Sequence, residues 1–246
     1  MFHDWMSKYN AYRAEYERFL WDVHIVIKGT LHAGLRYLST EATAELASIK
    51  ELMEDADSEE YQEHLVDEHV DVLEQITSQE RFLRNMALVA LASRLMHALR
   101  KMARSAETFS PRKKRYGNKH MSEFGRLWIE YTERFDIDFV RNAERIAFVE
   151  PLRRVRNQIV HEGSEANTLK TIDDVDLDAG ETGYLDTSFS EAFPEYVAAN
   201  GVGAEVSVSE ELLDKNVIAA IELVGWLAGK LRNRETQITK GSANGM

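Results

Sequence analysis

One short stretch of the chain combines residue types that can cleave RNA without a metal ion. The stretch VRNQIVHEGS, residues 155–164, contains Arg156, Asn157 and His161. An imidazole that titrates near neutral pH can donate or accept a proton, and a guanidinium can hold two oxygens of one phosphate. An amide can orient either the imidazole or the substrate. Together these groups could assist the attack of a ribose 2′-OH on its own phosphodiester.

The sequence predicts a short helix that carries these groups. Pro151 suits the first turn because its missing N–H is not needed there, and Gly163 suits the position after the last turn. Asn157 and His161 are four residues apart and therefore share one face. The helix also has an apolar stripe with which it can pack, formed by Leu152, Val155 and Ile159.

The segment around this helix resembles the motif of a known family. Arg and His are common near helix ends, where they suit the helix dipole, so their spacing alone says little. However, PLRRVRNQIVHEG resembles the HEPN superfamily motif. In that motif a polar residue follows the Arg directly, and the His comes after four to six intervening residues. The resemblance covers about residues 78–235, with a predicted helix upstream at 79–105 and another downstream at 209–231.

The resemblance implies a helical bundle that forms a homodimer through the motif helix. Many HEPN proteins are metal-independent endoribonucleases of toxin–antitoxin or other defence systems, and they leave a 2′,3′-cyclic phosphate and a 5′-OH. By this resemblance Arg156 would stabilise the negative charge of the phosphorane. Asn157 would position the imidazole or the substrate, and His161 would act as the acid and the base. Other members are catalytically silent modules that bind a protein or nucleotide partner, and this is the alternative function.

Two positions near the motif leave questions open. Arg154 also fits the family spacing, and we prefer Arg156 because Asn157 follows it directly. Some family toxins carry a Tyr two residues after the His, which a nucleotidyltransferase antitoxin modifies, whereas this chain has Gly163 there. The motif therefore does not say whether an antitoxin or another defence-system partner exists.

The distribution of charge matters more than its total. The net charge is −12, yet residues 41–80 and 162–214 each carry 14 Asp or Glu and one Lys, while residues 100–119 carry eight Lys or Arg and only Glu107. Phosphate binding depends on the local field, so RNA is compatible with this chain. We expect Tyr116 to stack on a base, and the substrate-binding side chains to be Arg112, Lys113, Lys114, Arg115, Arg153 and Arg154.

The amino-acid composition excludes several classes of protein. With 44% hydrophobic residues the chain can bury a core, and without cysteine it can form neither disulfides nor cysteine metal sites. It has no long apolar run, so we expect a cytoplasmic protein without membrane contact. His64 and Glu68 are four residues apart, but an exposed acidic helix explains them better than a metal site. We expect neither a metal nor a cofactor.

The apolar spacing predicts a mainly all-α fold, a helical bundle with a long first helix at about 4–38. Further helices are expected around 46–53, 65–76 and 79–105, then at 120–147 with a break near Asp136. Residues 164–208 are acidic and predict a short β-hairpin-like or irregular insert, with strands at 184–189 and 204–208. We predict an N-terminal helical extension at 1–77, the HEPN-like bundle at 78–235 and a flexible tail at 236–246.

Overall fold

The protein is mainly α-helical, as predicted. The computed structural model describes residues 11–56, 58–112, 114, 116–117, 121–161, 187–200 and 203–243. In these ranges the strands form one two-stranded antiparallel sheet. Over the same ranges, no helix combines the length and the apolar character needed to cross a membrane.

The elements follow one another in this order. Helix α1 is Ala11–Trp21 and continues through a π-helical segment, Asp22–Lys28, into α2, Gly29–Glu54. Helix α3 is Glu59–Ser105, followed by a 3₁₀ turn at Ala106–Thr108. Then come α4 (Glu123–Phe135), α5 (Ala143–Ile146), α6 (Val149–His161) and α7 (Thr187–Ala192). A 3₁₀ turn at Pro194–Tyr196 precedes β1 (Val197–Asn200), β2 (Gly203–Val206) and α8 (Glu210–Ala243).

Two predicted helix ends are wrong, and at both of them Thr hydroxyls bond back to their own helix. The first helix does not stop near residue 38 but continues as α2, where the Thr40 and Thr43 hydroxyls donate to carbonyls one turn earlier, at 3.0 and 2.7 Å. The predicted gap between 76 and 79 is also absent, and the Thr77 hydroxyl donates to the Leu73 carbonyl at 2.9 Å. Such bonds keep Ser and Thr inside a helix at little cost. The predicted helices at 65–76 and 79–105 are therefore one helix, α3.

Other predicted breaks are confirmed, and each has a local cause. Between α2 and α3, the Ser58 hydroxyl accepts from the Tyr61 N–H at 3.3 Å and caps the new helix. Helix α4 ends at Asp136, which adopts the left-handed conformation with φ 59° and ψ 41°. Helix α8 starts where predicted, with the Ser209 hydroxyl accepting from the Leu212 N–H at 3.1 Å.

The hairpin lies elsewhere in the insert than predicted. Residues 184–186 and Gly163 lie outside the described residues, and Phe189 belongs to α7 rather than to a strand. The rings of Phe189 and Phe193, one helical turn apart, have centroids 5.3 Å from each other, which favours the helix. The second predicted strand overlaps β2, and its partner β1 pairs Val197 with Val206. The alanine-rich β1 has no alternation that could have predicted it.

The first compact unit comprises the described residues of Met1–His24, Ala90–Arg156 and Asp214–Met246. Its core combines apolar stripes at three- and four-residue spacing with aromatic rings of α4. Tyr131 and Phe135 of α4 are buried, and the Tyr131 hydroxyl donates to the Leu99 carbonyl of α3 at 2.7 Å. The stripes include Leu91, Leu95, Leu99 and Met102 on α3, and Val217, Val224, Leu227 and Leu231 on α8.

The second unit comprises the described residues of Ile25–Val89 and Asn157–Leu213. Helix α2 and the first half of α3 enclose a small core of Ile49, Leu65 and Val72. The buried Asn85 holds the end of β2, because its amide donates to the Val206 carbonyl at 2.8 Å and accepts from the Val208 N–H at 3.2 Å. Most described acidic residues of 41–80 are exposed, as expected for a solvated surface.

The predicted domain boundary at residue 77 falls inside α3 and stays a prediction. The C-terminal segment predicted as a flexible tail, 236–246, continues α8 as far as Ala243. In this stretch the Thr236 and Thr239 hydroxyls are accommodated within the helix, because each donates to the carbonyl four residues earlier, both at 2.9 Å.

Candidate functional site

The motif residues lie on one helix, α6, which runs from Val149 to His161. Pro151 lies in its first turn, as predicted, and Leu152 and Val155 are fully buried. Arg156 and Asn157 are partly buried, and His161 is the last residue of the helix. The local chemistry explains why this segment is helical, since an apolar stripe and a proline at the start are both present.

The other two arginines of α6 are bound to a carboxylate of the same helix. Arg153 makes two hydrogen bonds to Glu150, from Nε at 2.9 Å and from NH2 at 2.5 Å. Arg154 donates from Nε to Glu150 Oε1 at 3.1 Å. The hydrogen bonds from Arg153, and then those from Arg154, lower the pKa of Glu150. Both predicted substrate-binding arginines therefore share one negative charge.

The basic segment is placed only in part. Arg112 forms an ion pair with Glu130 at 3.2 Å, and Lys114 forms one with Glu133 at 2.5 Å. Lys113 and Arg115 lie outside the described residues. Tyr116 was expected to stack on a base, but its side chain is only 6% exposed. Arg112 and Lys114 approach its ring at 5.9 and 5.5 Å from the centroid, so Tyr116 supports these cations instead.

A cleft of about 340 Å³ opens between α3, α4 and the segment that connects them. We call it the arginine cleft, because four arginines line it: Arg100, Arg104, Arg112 and Arg126. Its acidic lining consists of Glu107, Glu123 and Glu130. Arg100 and Arg104 are one helical turn apart on α3, so their guanidinium groups reach the same space.

A buried ion cluster fixes the connecting segment against α4. Glu130 is 5% exposed and accepts from Arg134 NH1 at 2.7 Å, while its other oxygen pairs with Arg112. Arg134 Nε donates to the Ser110 carbonyl at 2.6 Å, and the Ser110 hydroxyl donates to the Arg134 carbonyl at 3.2 Å. Because Glu130 lines the arginine cleft and is held by the buried Arg134, this clamp supports one wall of the cleft.

Gly117 allows the connecting segment to turn close to Arg126. Its φ is +70°, a conformation that glycine adopts without strain. A Cβ at this position would lie 2.7 Å from Arg126 Cγ and 3.1 Å from Met121 Sδ. No larger residue could occupy the position without moving the Arg126 side chain.

Like charges are crowded in the arginine cleft. Burial, and then the neighbouring guanidinium groups of Arg104 and Arg126, lower the pKa of Arg100. Arg100 pairs with Glu123 at the start of α4. The basic run 100–119 contains Arg100 and Arg104, but no local pattern distinguishes them from its other cations. Arg126 comes from a separate helix, and no local pattern indicated it.

No group of three or more His, Asp or Glu in the described ranges is arranged to hold a metal ion. His64, considered above with Glu68, is exposed on α3.

Comparison with known proteins found no matching family model, no similar curated protein and no similar solved structure. The HEPN resemblance therefore stays a prediction from the sequence.

Proposed function

We propose that the protein is a metal-independent endoribonuclease with Arg156, Asn157 and His161 as its catalytic residues. The observation that carries the proposal is that all three residues belong to one helix, α6, with His161 at its C-terminal end. The carbonyl ends of a helix favour an imidazolium, which is the proton donor that a leaving 5′-oxygen needs. Arg156 would hold the non-bridging oxygens as negative charge develops on them.

The proposed reaction needs no outside nucleophile. A base, the neutral His161 of one motif, removes the 2′-OH proton, and the 2′-oxygen attacks the adjacent phosphorus. The bond from phosphorus to the 5′-oxygen breaks, and an imidazolium protonates that oxygen. Two proton transfers in opposite directions are served best by two histidines, so we propose a homodimer with paired motifs. Toxin–antitoxin or phage defence is the biological setting that we propose.

The test is cleavage of single-stranded RNA in the presence of EDTA by the wild type and by His161→Ala. We expect the wild type to leave 2′,3′-cyclic phosphate ends, and His161→Ala to lose cleavage by at least about 100-fold, the usual contribution of a general acid or base. His64→Ala is the matched control, because His64 is exposed on another helix. Circular dichroism of each variant checks the fold.

Two further measurements separate the alternatives. Arg156→Lys should not restore cleavage, because an ammonium cannot reproduce two parallel hydrogen bonds. If Arg154→Ala lowers cleavage more than Arg156→Ala, the catalytic arginine is Arg154. If the folded wild type does not cleave RNA, the catalytic proposal fails and the silent binding module takes its place. A light-scattering mass close to 28.2 kDa would argue against the homodimer.

A further inference from the structure

The arginine cleft contains positive charge that no described carboxylate balances. Glu130 divides its two oxygens between Arg134 and Arg112, and Glu123 pairs with Arg100. Within the described ranges, Arg104 and Arg126 form no ion pair. Glu107 also lines the cleft, is exposed to solvent and forms no ion pair in the described part of the chain.

Repulsion within this arrangement favours the binding of an anion. Arg104 and Arg126 are close enough to Arg100 to disfavour its charged form. Groups whose pKa is perturbed by like charges in a cleft cluster at functional sites. Guanidinium groups are also the side chains that match phosphate oxygens in pairs, so the missing partner is best explained as a phosphate group.

We propose that the arginine cleft binds a phosphate monoester through Arg100, Arg104 and Arg126. A monoester carries about −1.5 to −2 charges at neutral pH, whereas each internal phosphodiester of RNA carries one. A strand that continued through the cleft would also meet Glu107, Glu123 and Glu130, while a compact ligand at the arginines need not. The volume, about 340 Å³, suits a small ligand or the end of a chain.

This inference goes beyond the proposed nuclease and does not depend on it, because it uses other residues. The same chemical group occurs on a free nucleotide and at the 5′ end of an RNA. The two sources therefore belong to one proposal and are separated by experiment.

Equilibrium dialysis with labelled inorganic phosphate and with a nucleoside 5′-monophosphate, at constant ionic strength, tests the proposal. The wild type should bind saturably, and Arg104→Met/Arg126→Met should bind at least about tenfold more weakly, as expected for lost charge-assisted hydrogen bonds. This double variant should fold, because it removes like charges from beside Arg100. The control Arg13→Met/Arg141→Met removes two exposed arginines, with side chains 75% and 87% exposed, and should bind like the wild type.

A gain-of-binding variant makes the test sharper. Glu123→Gln releases Arg100 from its carboxylate, so we expect binding to tighten by roughly threefold. Binding of the monophosphate should also weaken as the pH falls through about 6, where the monoester gains its second proton. A purely structural role of these arginines predicts neither effect.

Competition by short RNA identifies the source of the phosphate. With the wild-type protein and short RNA carrying 2′-O-methyl groups, which cannot be cleaved by 2′-OH attack, RNA with a 5′-phosphate should compete and the same RNA with a 5′-hydroxyl should not. Stronger competition by the 5′-phosphorylated RNA than by the nucleotide would assign the site to an RNA end, and the reverse to a free nucleotide. Equal competition by the two RNAs, no saturable binding by the wild type, or unchanged binding by Arg104→Met/Arg126→Met would overturn the proposal.

Discussion

Two groups of arginines in the first unit differ in how their charge is balanced. On α6, Arg153 and Arg154 share Glu150, and all three side chains come from a single helical turn. In the arginine cleft the cations come from α3, from the connecting segment and from α4, and Arg104 and Arg126 form no ion pair in the described part of the chain. The first group obtains its carboxylate through local spacing, while the second depends on tertiary structure and includes arginines that are available for a ligand.

The largest expected effect comes from removing the clamp that shapes the arginine cleft. Glu130→Ala leaves the buried Arg134 without its carboxylate, and breaking a buried pair in this way costs about 3–5 kcal/mol. Urea denaturation monitored by circular dichroism should show this loss. Glu133→Ala is the matched control, because its partner Lys114 is exposed, and it should leave the urea midpoint nearly unchanged. Equal midpoints for the two variants would mean that the clamp does not hold this wall.

A smaller effect is expected from the turn beside Arg126. Gly117→Ala should destabilise the protein by about 1–2 kcal/mol, because alanine is strained at φ +70° and its Cβ would meet the Arg126 side chain. Gly229→Ala should have the opposite sign, because Gly229 lies within α8 with no atom within 4 Å of an added Cβ. Thermal unfolding of both variants is the measurement. A Gly117→Ala protein as stable as Gly229→Ala would contradict the described turn.

The Tyr131 hydroxyl, which bonds α4 to α3 next to Arg100, should contribute less to the free energy of unfolding than the turn at Gly117 does. Tyr131→Phe removes the hydrogen bond to the Leu99 carbonyl and should cost about 1 kcal/mol at neutral pH. Burial raises the pKa of Tyr131, so the folded protein keeps the proton and the unfolded chain loses it above pH about 10. The stability advantage of the wild type over Tyr131→Phe should therefore shrink as the pH rises above 10. An advantage that grows in alkali would have the wrong sign.

The smallest effect concerns α6 itself. Glu150→Gln should cost about 0.5 kcal/mol at neutral pH, as is usual for exposed helical ion pairs. The arginines hold the pKa of Glu150 below its ordinary value, so its stabilising contribution is present above that ordinary value and disappears as the pH falls through the lowered one. Wild type and Glu150→Gln should thus converge in acid. If the difference persists below pH about 2, a contact other than the charge is responsible.

Local patterns predicted the parts of the fold that local forces decide. The mainly α class and the positions of most helices followed from apolar spacing, including the break near Asp136 and the helix that starts after Ser209. The merged helix α3 was missed because two apolar stripes, ending at Ile76 and starting after residue 79, were assigned to separate helices, whereas the chain stays helical through Thr77. The position of β1 depends on pairing with β2 and on Asn85, which lies far away in sequence.

Of the two candidate sites, one could be predicted from local sequence patterns and the other depends on tertiary structure. The helix bearing Arg156 and His161 was predicted because its stripe and its proline are contiguous. The arginine cleft was not, because Arg126 joins Arg100 and Arg104 only after the chain has turned at Gly117. Charge counts located the basic run, but they could not show that Arg112 and Lys114 have carboxylate partners on α4.

The left-handed residue that ends α4 restricts which amino acids the chain can accept there. Asp136 has φ 59°, and its carboxylate is 82% exposed and 3.9 Å from Arg234, so the backbone rather than the charge decides the fit. In a saturation library selected for folded protein, position 136 should accept Gly and Asn readily and should exclude Val and Ile. Glu, which keeps the charge but has no local bond to support a positive φ, should rank below Asn. One backbone angle thus sets a substitution profile that a charge-based comparison of sequences would misinterpret.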